Sequence, residues 1–366
     1  MTKICLLFGG RSAEHEVSLQ SAYSVAQAVD QKKYTLIPVG ITHSGEWLLF
    51  DGPLEMIRDN TWEAYAREKL TEKPNRYTIT ILGSGGRTLR DIADFVLPIV
   101  HGTNCEDGKL QGLLEMAGIP YGGCGVTASA TAMDKIIAKQ VFELAGLPVT
   151  PYIYILRHEL EADPEETANR VEEALGFPLF VKPANCGSSV GISKVTKRED
   201  LLPALYLAAE HDHRILCEKA IRCREIETAI LGNHDIQVSL PGEVVATEDF
   251  YDYKSKYVDD GKPKMKIPAD LPEDLIRTLQ NYAARAYSAI DGAGFSRCDF
   301  FIDRDTGEIY LNEINTIPGF TQFSMFPLLW EASGVPYRET IERIIKLGYE
   351  RYHDTVDRPP SEYRHG

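Results

Sequence analysis

Short apolar runs alternate with amphipathic stretches through the first third of the chain, and this alternation constrains the fold more than any other feature. Residues 4–8 read as a strand, 17–29 as a helix, 34–41 and 95–100 as further strands, and 109–117 as another helix. Such alternation implies a parallel sheet with helices on its faces. Ligands then sit beyond the strand carboxyl ends, where segments 9–16 and 101–108 would fall. The pattern changes after about Gly125. Residues 128–144 read as one helix, stopped by Gly146 and Pro148. Residues 151–156 and 178–183 are strand-like, either side of a helix over 164–175. From Ile215 strands dominate, over 215–221, 225–231, 236–240 and 244–249. A helix over 272–290, a hairpin, and helices near 327–333 and 337–352 follow. The expected fold is α/β, becoming α+β in the C-terminal part. It has an N-terminal parallel-sheet domain (1–125), a small central domain (126–216) and a larger antiparallel-sheet domain (217–354). Residues 355–366 form a polar tail with Pro359 and Pro360 that reads as frayed.

Composition excludes several classes. A chain of 366 residues exceeds one ordinary core, so two or three domains are expected. The apolar run 4–8 is too short for a signal-peptide core, and no stretch reads as a membrane span, so a cytoplasmic location is expected. Seven cysteines without a C-x-x-C pair argue against a disulfide framework and a structural zinc site. A formal net charge of −15 disfavours nucleic acid as a partner.

The acidic segment from Arg297 to Gly319 carries the clearest chemistry. Residues 295–302 and 308–315 are strand-like around the turn Asp303-Arg304-Asp305-Thr306-Gly307. Side chains alternate faces along a strand, so Arg297 shares a face with Asp299, and Glu313 with Asn315. A three-residue loop at Asp305–Gly307 would set Asp299 opposite Glu313. Two carboxylates so placed repel unless something positive lies between them. Hard oxygen donors plus an asparagine amide suit Mg²⁺ bridging nucleotide phosphates. Arg297 alongside would neutralise a transferring phosphoryl group or a developing oxyanion. The competing reading is a solvated hairpin, but Phe295, Phe301 and Leu311 around the acids favour a site.

Lys182-Pro183-Ala184-Asn185-Cys186-Gly187-Ser188-Ser189-Val190-Gly191 is a loop of small residues whose backbone N–H groups could approach phosphate oxygens. It lacks the P-loop pattern, and taken alone it is more often a plain turn. Lys182 at its mouth and Lys135 on the preceding helix raise its interest. Gly9-Gly10-Arg11-Ser12-Ala13-Glu14 does not match a dinucleotide fingerprint and instead presents Glu14, either to a substrate ammonium or as ordinary capping. His101 and Glu106-Asp107 are equally ambiguous. The run Phe250-Tyr251-Asp252-Tyr253-Lys254-Ser255-Lys256-Tyr257 and the polar stretch after it read as packing or as a lid.

Taken together, these segments resemble the D-alanine–D-alanine ligases of the ATP-grasp superfamily over roughly residues 4–352. N-E-I-N-T-I-P-G-F-T-Q-F-S-M-F from Asn312 and K-P-A-N-C-G-S-S-V-G from Lys182 are highly specific. G-G-R-S-A-E-H-E-V-S, Met133-Asp134-Lys135, E-K-A-I-R-C-R-E-I-E from Glu218 and the tyrosine-rich loop occur in the expected order. One departure is Cys105, where the loop after the histidine usually carries a glycine; a positive φ there would strain it.

The resemblance implies three domains, with ATP between the central and C-terminal ones. It implies that Glu14 binds the ammonium of the first D-alanine, and that Glu14, Ser188 and Tyr257 form a trio closing the lid. His101 would lie beside the first substrate's carboxylate. Lys135, Lys182 and Lys256 would hold phosphates, with Ser188 and Ser189 in the covering loop. Glu218, Lys219 and Ile221 would flank adenine and Glu225 the ribose. Asp299, Glu313 and Asn315 would bind two Mg²⁺ ions, with Mn²⁺ as the alternative. Arg297 and the Gly319 N–H would form an oxyanion hole, and Ser324 and Met325 would line the second substrate's pocket. The implied reaction makes D-alanyl-D-alanine for peptidoglycan through an acyl phosphate, in a homodimer. D-Serine or D-lactate as second substrate is the nearest rival; Tyr257 favours the dipeptide over D-lactate. Another ATP-grasp ligase or a non-catalytic nucleotide-binding protein fits the same residues less well.

Overall fold

The structure is a computed structural model, and it describes residues 1–80, 87–187, 189–245 and 264–355. Three principal sheets order the chain. In the first, Thr2–Gly9 pairs in parallel with Tyr34–Ile41 on one side and Phe95–Pro98 on the other. Trp47–Leu49 adds an antiparallel edge, so the sheet is parallel except at that margin. Continuous apolar runs in Thr2–Gly9 and Phe95–Pro98 follow from burial on both faces.

The second sheet is antiparallel, in the order Tyr152–Leu156, Arg214–Lys219, Leu179–Pro183, Ser193–Val195. Helix Pro164–Leu175 covers it because its ends and face are written locally. Asp163 accepts from the Glu166 N–H at 3.1 Å, Pro164 opens the first turn, and Gly176 follows the last residue at φ 58°. Thr167, Ala168, Val171 and Leu175 recur at helical spacing and are buried. Full burial of Val171 contributes on the order of 1.5–3 kcal/mol. Arg214–Lys219 pairs with two strands of this sheet, so a division at residue 216 would cut a strand.

The third sheet is six-stranded and antiparallel, running Lys264–Lys266, Gly242–Val245, Cys223–Leu231, Phe295–Asp303, Ile309–Asn315, with Gln237–Val238 also on Cys223–Leu231. Helix Glu273–Ala289 packs on it through Leu279, Ala283 and Ala286. The expected helix over 128–144 is two helices, Val126–Met133 and Lys135–Leu144. Asp134 separates them at φ −84°, ψ 101°, and its Oδ1 accepts from the N–H groups of Ile136 and Ile137 at 3.1 and 3.0 Å. The break is therefore a helix N-cap built into an otherwise helical sequence. Ala128 and Phe142 of these helices lie in the core of the third sheet.

The N-terminal core runs on into Phe320, Phe326, Trp330 and Ile341, so the last helices cover the first sheet as well as the third. No helix among the described residues is long and apolar enough to cross a membrane. The expected frayed tail lies, from residue 356 on, outside the described residues, as does the 246–249 part of the strand expected over 244–249.

Candidate active site

One cleft gathers residues from the loops after the first sheet's strands, from helix Lys135–Leu144 and from the other two sheets: Glu14 and Glu106, Lys135, Lys182 and Glu218, Arg297, Asp299, Glu313 and Asn315. Its floor is the hairpin singled out in the sequence. Asp299 pairs with Glu313 and Arg297 with Asn315. The route to that register differs from the expected one. Asp303 pairs with Glu308, giving a four-residue loop over 304–307. A bulge between Asp299 and Phe300 then restores the pairing, with Asn312 as the extra residue. Two one-residue shifts cancel, and the carboxylates face each other.

The positive element beside them is Arg297. It donates to both Asp299 oxygens, Nε to Oδ1 and a terminal nitrogen to Oδ2, each at 2.7 Å. Its Nε also lies 2.9 Å from Glu227 Oε2, and Asn315 Nδ2 donates to Asp299 Oδ2 at 3.0 Å. Burial works against the guanidinium charge, but Asp299 and Glu227 outweigh it and hold the group well above its ordinary value. Glu227 pairs with Asp299 across the adjacent strand, so Glu227, Asp299 and Glu313 form a row over three strands. Glu227 is a site residue that carries no signal of its own in the sequence. Its spacing of two from Glu225 places both on one face, but the register against Asp299, more than seventy residues on, is not local information.

On the opposite wall Lys182 and Glu218 form an ion pair across adjacent strands. Lys139, one helical turn after Lys135, approaches Glu218 Oε2 at 3.1 Å and donates to Thr150 Oγ1 at 2.8 Å. Thr150 donates onward to Glu218 Oε2 at 3.2 Å. Burial alone would push the Glu218 carboxyl up, but Lys182 and Lys139 bring it down to about 2. Burial likewise draws the Lys139 ammonium down, and Glu218 opposes that. Lys139 was missed because a lysine at helical spacing reads as solvated until its burial is known.

The glycine-rich loop sits over this wall. Lys135 donates to the Cys186 carbonyl at 2.6 Å, and Asn185 joins Asp134 and Asp212 through hydrogen bonds of 2.9 and 2.8 Å. Ser189 and Gly191 carry φ of 59° and 70°, two left-handed turns, and the Val190 and Ile192 N–H groups donate within the loop to the Gly187 and Ser189 carbonyls at 3.2 and 3.4 Å. Ser188, Lys256 and Tyr257 lie outside the described residues, so the expected lid trio is represented by Glu14 alone. Glu14 caps helix His15–Ala28 at its backbone. Its carboxylate lies against Gly102 and Gly187: a Cβ on either would come within 2.5 and 3.0 Å of Glu14 Oε2. Three loops therefore meet at Glu14.

Glu106 also faces the cleft. Burial, reinforced by Glu14, pushes its carboxyl well up from the ordinary range. Cys105 is buried, but the left-handed residues of that loop are Gly102, Asn104 and Gly108, so the strain conditionally expected at Cys105 does not arise.

Ser189, Lys219, Ile221 and Glu225 line the cleft as well. Four expected site residues are not on its wall. His101 is buried; Nδ1 is 2.8 Å from the Ile317 carbonyl and Nε2 is 3.2 Å from Ser21 Oγ, and burial lowers its pKa. Gly319 lies beside Ser324, whose Oγ accepts from the Thr321 N–H at 3.1 Å. Met325 is 4% exposed and packs into the N-terminal core.

Asp299, Glu313 and the Asn315 carbonyl are hard oxygen donors of the kind divalent magnesium takes. Among the described residues no group of three His, Cys, Asp or Glu side chains is arranged to hold a metal by itself. The donor set fits an ion whose remaining ligands are phosphate oxygens and water, not a closed protein site.

Comparison with known proteins points one way. The family model described as "D-ala D-ala ligase N-terminus" matches residues 3–124, and "D-ala D-ala ligase C-terminus" matches 141–346. A D-alanine–D-alanine ligase of Ruminiclostridium cellulolyticum is 47% identical over 365 residues, 96% of each chain. One of Acetivibrio thermocellus is 44% identical over 369 residues, 97% of each. Among solved structures, the VanG D-Ala:D-Ser ligase from Enterococcus faecalis superposes with a TM-score of 0.83 at 36% identity, covering 95% of this chain and 99% of that one. The D-alanine–D-alanine ligase from Coxiella burnetii gives 0.82 at 34% identity, covering 96% and 95%.

Proposed function

The chain belongs to the D-alanine–D-alanine ligase family, and from that premise we propose that it joins two D-alanine molecules at the expense of ATP, supplying the dipeptide for peptidoglycan. The observation that carries this reading is the convergence, in one cleft, of Glu14 with Lys135, Lys182, Arg297, Asp299, Glu313 and Asn315. A carboxylate is a poor electrophile because its charge is delocalised and its leaving group would be oxide. Phosphorylation removes both obstacles. The carboxylate of the first D-alanine attacks the γ-phosphorus of ATP, giving an acyl phosphate and ADP. The amine of the second D-alanine then attacks the acyl carbon, and phosphate leaves with the bonding electrons. Both steps gather negative charge in one place, which is where the cations of this cleft converge.

In this reading Glu14 holds the ammonium of the first D-alanine, with Ser188 and Tyr257 completing the closed lid. Water is excluded while the acyl phosphate exists. Lys135, Lys182 and Lys256 hold phosphates, under the backbone of the loop that includes Ser188 and Ser189. Glu218, Lys219 and Ile221 border adenine, and Glu225 the ribose. Asp299, Glu313 and Asn315 would hold Mg²⁺, or Mn²⁺ in its place, and such ions neutralise phosphate charge. Arg297 and the Gly319 N–H stabilise the oxyanion on the acyl carbon, and Ser324 and Met325 border the second substrate. His101 fits a positioning role, because its ring bridges Ser21 and the Ile317 carbonyl. Three cations must exchange partners for this chemistry: Lys135 leaves the Cys186 carbonyl, Lys182 leaves Glu218, and Arg297 loosens its grip on Asp299.

We also propose a cytoplasmic homodimer, and three units of which the central one extends through the Arg214–Lys219 strand. The similarity to a D-Ala:D-Ser ligase keeps D-serine as the second reading for the second substrate. Phosphate release with D-alanine, D-serine and D-lactate as second substrate separates them. D-alanine alone should support rapid turnover, and a preference for D-serine would replace the dipeptide reading.

A further inference from the structure

Arg297 Nε carries one proton, and two carboxylates compete for it. Asp299 Oδ1 lies 2.7 Å from that nitrogen in hydrogen-bonding alignment, and Glu227 Oε2 lies 2.9 Å from it. Asp299 is also held side-on by a second Arg297 nitrogen and receives the Asn315 amide, so both of its oxygens are engaged within the protein. These contacts take three of the roughly four acceptor sites of the carboxylate and leave little of it for another ligand. For Asp299 to ligate a divalent cation, part of that grip must open. A guanidinium so released, in a site where its side chain is only 20% exposed, needs another anion to stay oriented.

We propose that Glu227 is a positioning residue that takes over Arg297 when Asp299 turns to the divalent cation. This rests on the reading of Asp299 and Glu313 as cation ligands. The row Glu227–Asp299–Glu313 then divides by function. Its Glu313 end serves the cation with Asp299, and its Glu227 end keeps Arg297 aimed at the reacting group. Glu227 is suited to this because it lines the same cleft, stands directly across from Asp299, and is already at contact distance from Nε. Arg297 therefore passes between neighbours on adjacent strands without crossing the site.

The test compares the full chain with Glu227→Gln, Arg297→Ala and the double variant, reading Mn²⁺ binding in the presence of saturating ADP by electron paramagnetic resonance. Without the Glu227 charge, Arg297 stays on Asp299 and the cation must displace it. Mn²⁺ affinity should fall by about fivefold or more, the low end of coupling between sites. In the Arg297→Ala background the same change should have no further effect. In steady state, Glu227→Gln should lower kcat while leaving the KM for ATP nearly unchanged at saturating Mn²⁺. Unchanged Mn²⁺ affinity overturns the proposal, as does an equal loss in both backgrounds, which would make Glu227 act on the cation directly. Absence of Mn²⁺ binding in the parent chain is a different result: it removes the metal reading of Asp299 and Glu313 themselves. Glu227→Ala, which also removes the charge, carries the same comparison if the glutamine variant does not fold.

Discussion

Replacing Lys139 by methionine isolates the buried charge cluster behind the cleft. Lys139 and Glu218 are each only 2% exposed, so neither has water to fall back on. Their partners hold the Glu218 carboxyl down to about 2. Against an ordinary glutamate near 4.3, that depression corresponds to roughly 3 kcal/mol of differential stabilisation of the ionised form. Breaking a buried pair typically costs about 3–5 kcal/mol. Lys182 remains beside Glu218 in the variant, so the expected loss is about 2–3 kcal/mol, at or just below the bottom of that range. The pH dependence has a definite sign. The folded-state pKa lies below the unfolded one, so the contribution is present above about pH 4.5 and is lost as pH falls through about 2. Urea unfolding should therefore show the full gap between parent and variant at about pH 7.5 and an equal one at about pH 5.5, narrowing by about pH 3.5. Lys182, left as the sole neutraliser of Glu218, should also be held more firmly, so ADP binding should weaken. A variant as stable as the parent near neutrality, or a gap unchanged in acid, would refute this account of the cluster.

Arg297→Ala should retain nucleotide binding yet lose turnover by a hundredfold or so, the loss of about 3 kcal/mol that follows removal of one oxyanion donor; equilibrium ADP binding alongside kcat checks both halves. Gly102→Ala should raise the KM for the first D-alanine more than that for ATP, because a Cβ there would come within 2.5 Å of Glu14 Oε2 at a φ of +75°. Asp134→Ala should lower thermal stability by about 1 kcal/mol from the lost helix cap alone, and more through Arg214 and Asn185, which also bind Asp134. Its glycine-rich loop should become protease-sensitive.

The hairpin shows how far local sequence reaches. Alternation along two adjacent strands placed Arg297 with Asp299 and Glu313 with Asn315, each pair on one strand, and the structure sets Asp299 opposite Glu313 as expected. The loop length was misread, and only the bulge at Asn312 cancels the error, because bulges have no reliable local signature. Likewise, Asp134 interrupts a run with good helical periodicity; its cap is recognisable only once Arg214 and Asn185 are seen to take its other oxygen. Glu227 and Lys139 were illegible for a different reason. Each matters through burial and through a partner brought near by nonlocal strand pairing, which no single-segment pattern encodes. The motifs from Lys182 and Asn312, by contrast, are contiguous in the sequence, and they fall within a chain that both halves of the family model match.

In the proposed reaction this cleft couples ATP cleavage to the joining of two D-alanine molecules. Its most direct test is the product formed by the purified chain with ATP, Mg²⁺ and D-alanine, identified by mass and matched to ADP released. The account expects ADP only when D-alanine is present, and one D-alanyl-D-alanine for each ADP. ADP release indifferent to D-alanine, or D-alanine-dependent release without dipeptide, would contradict it.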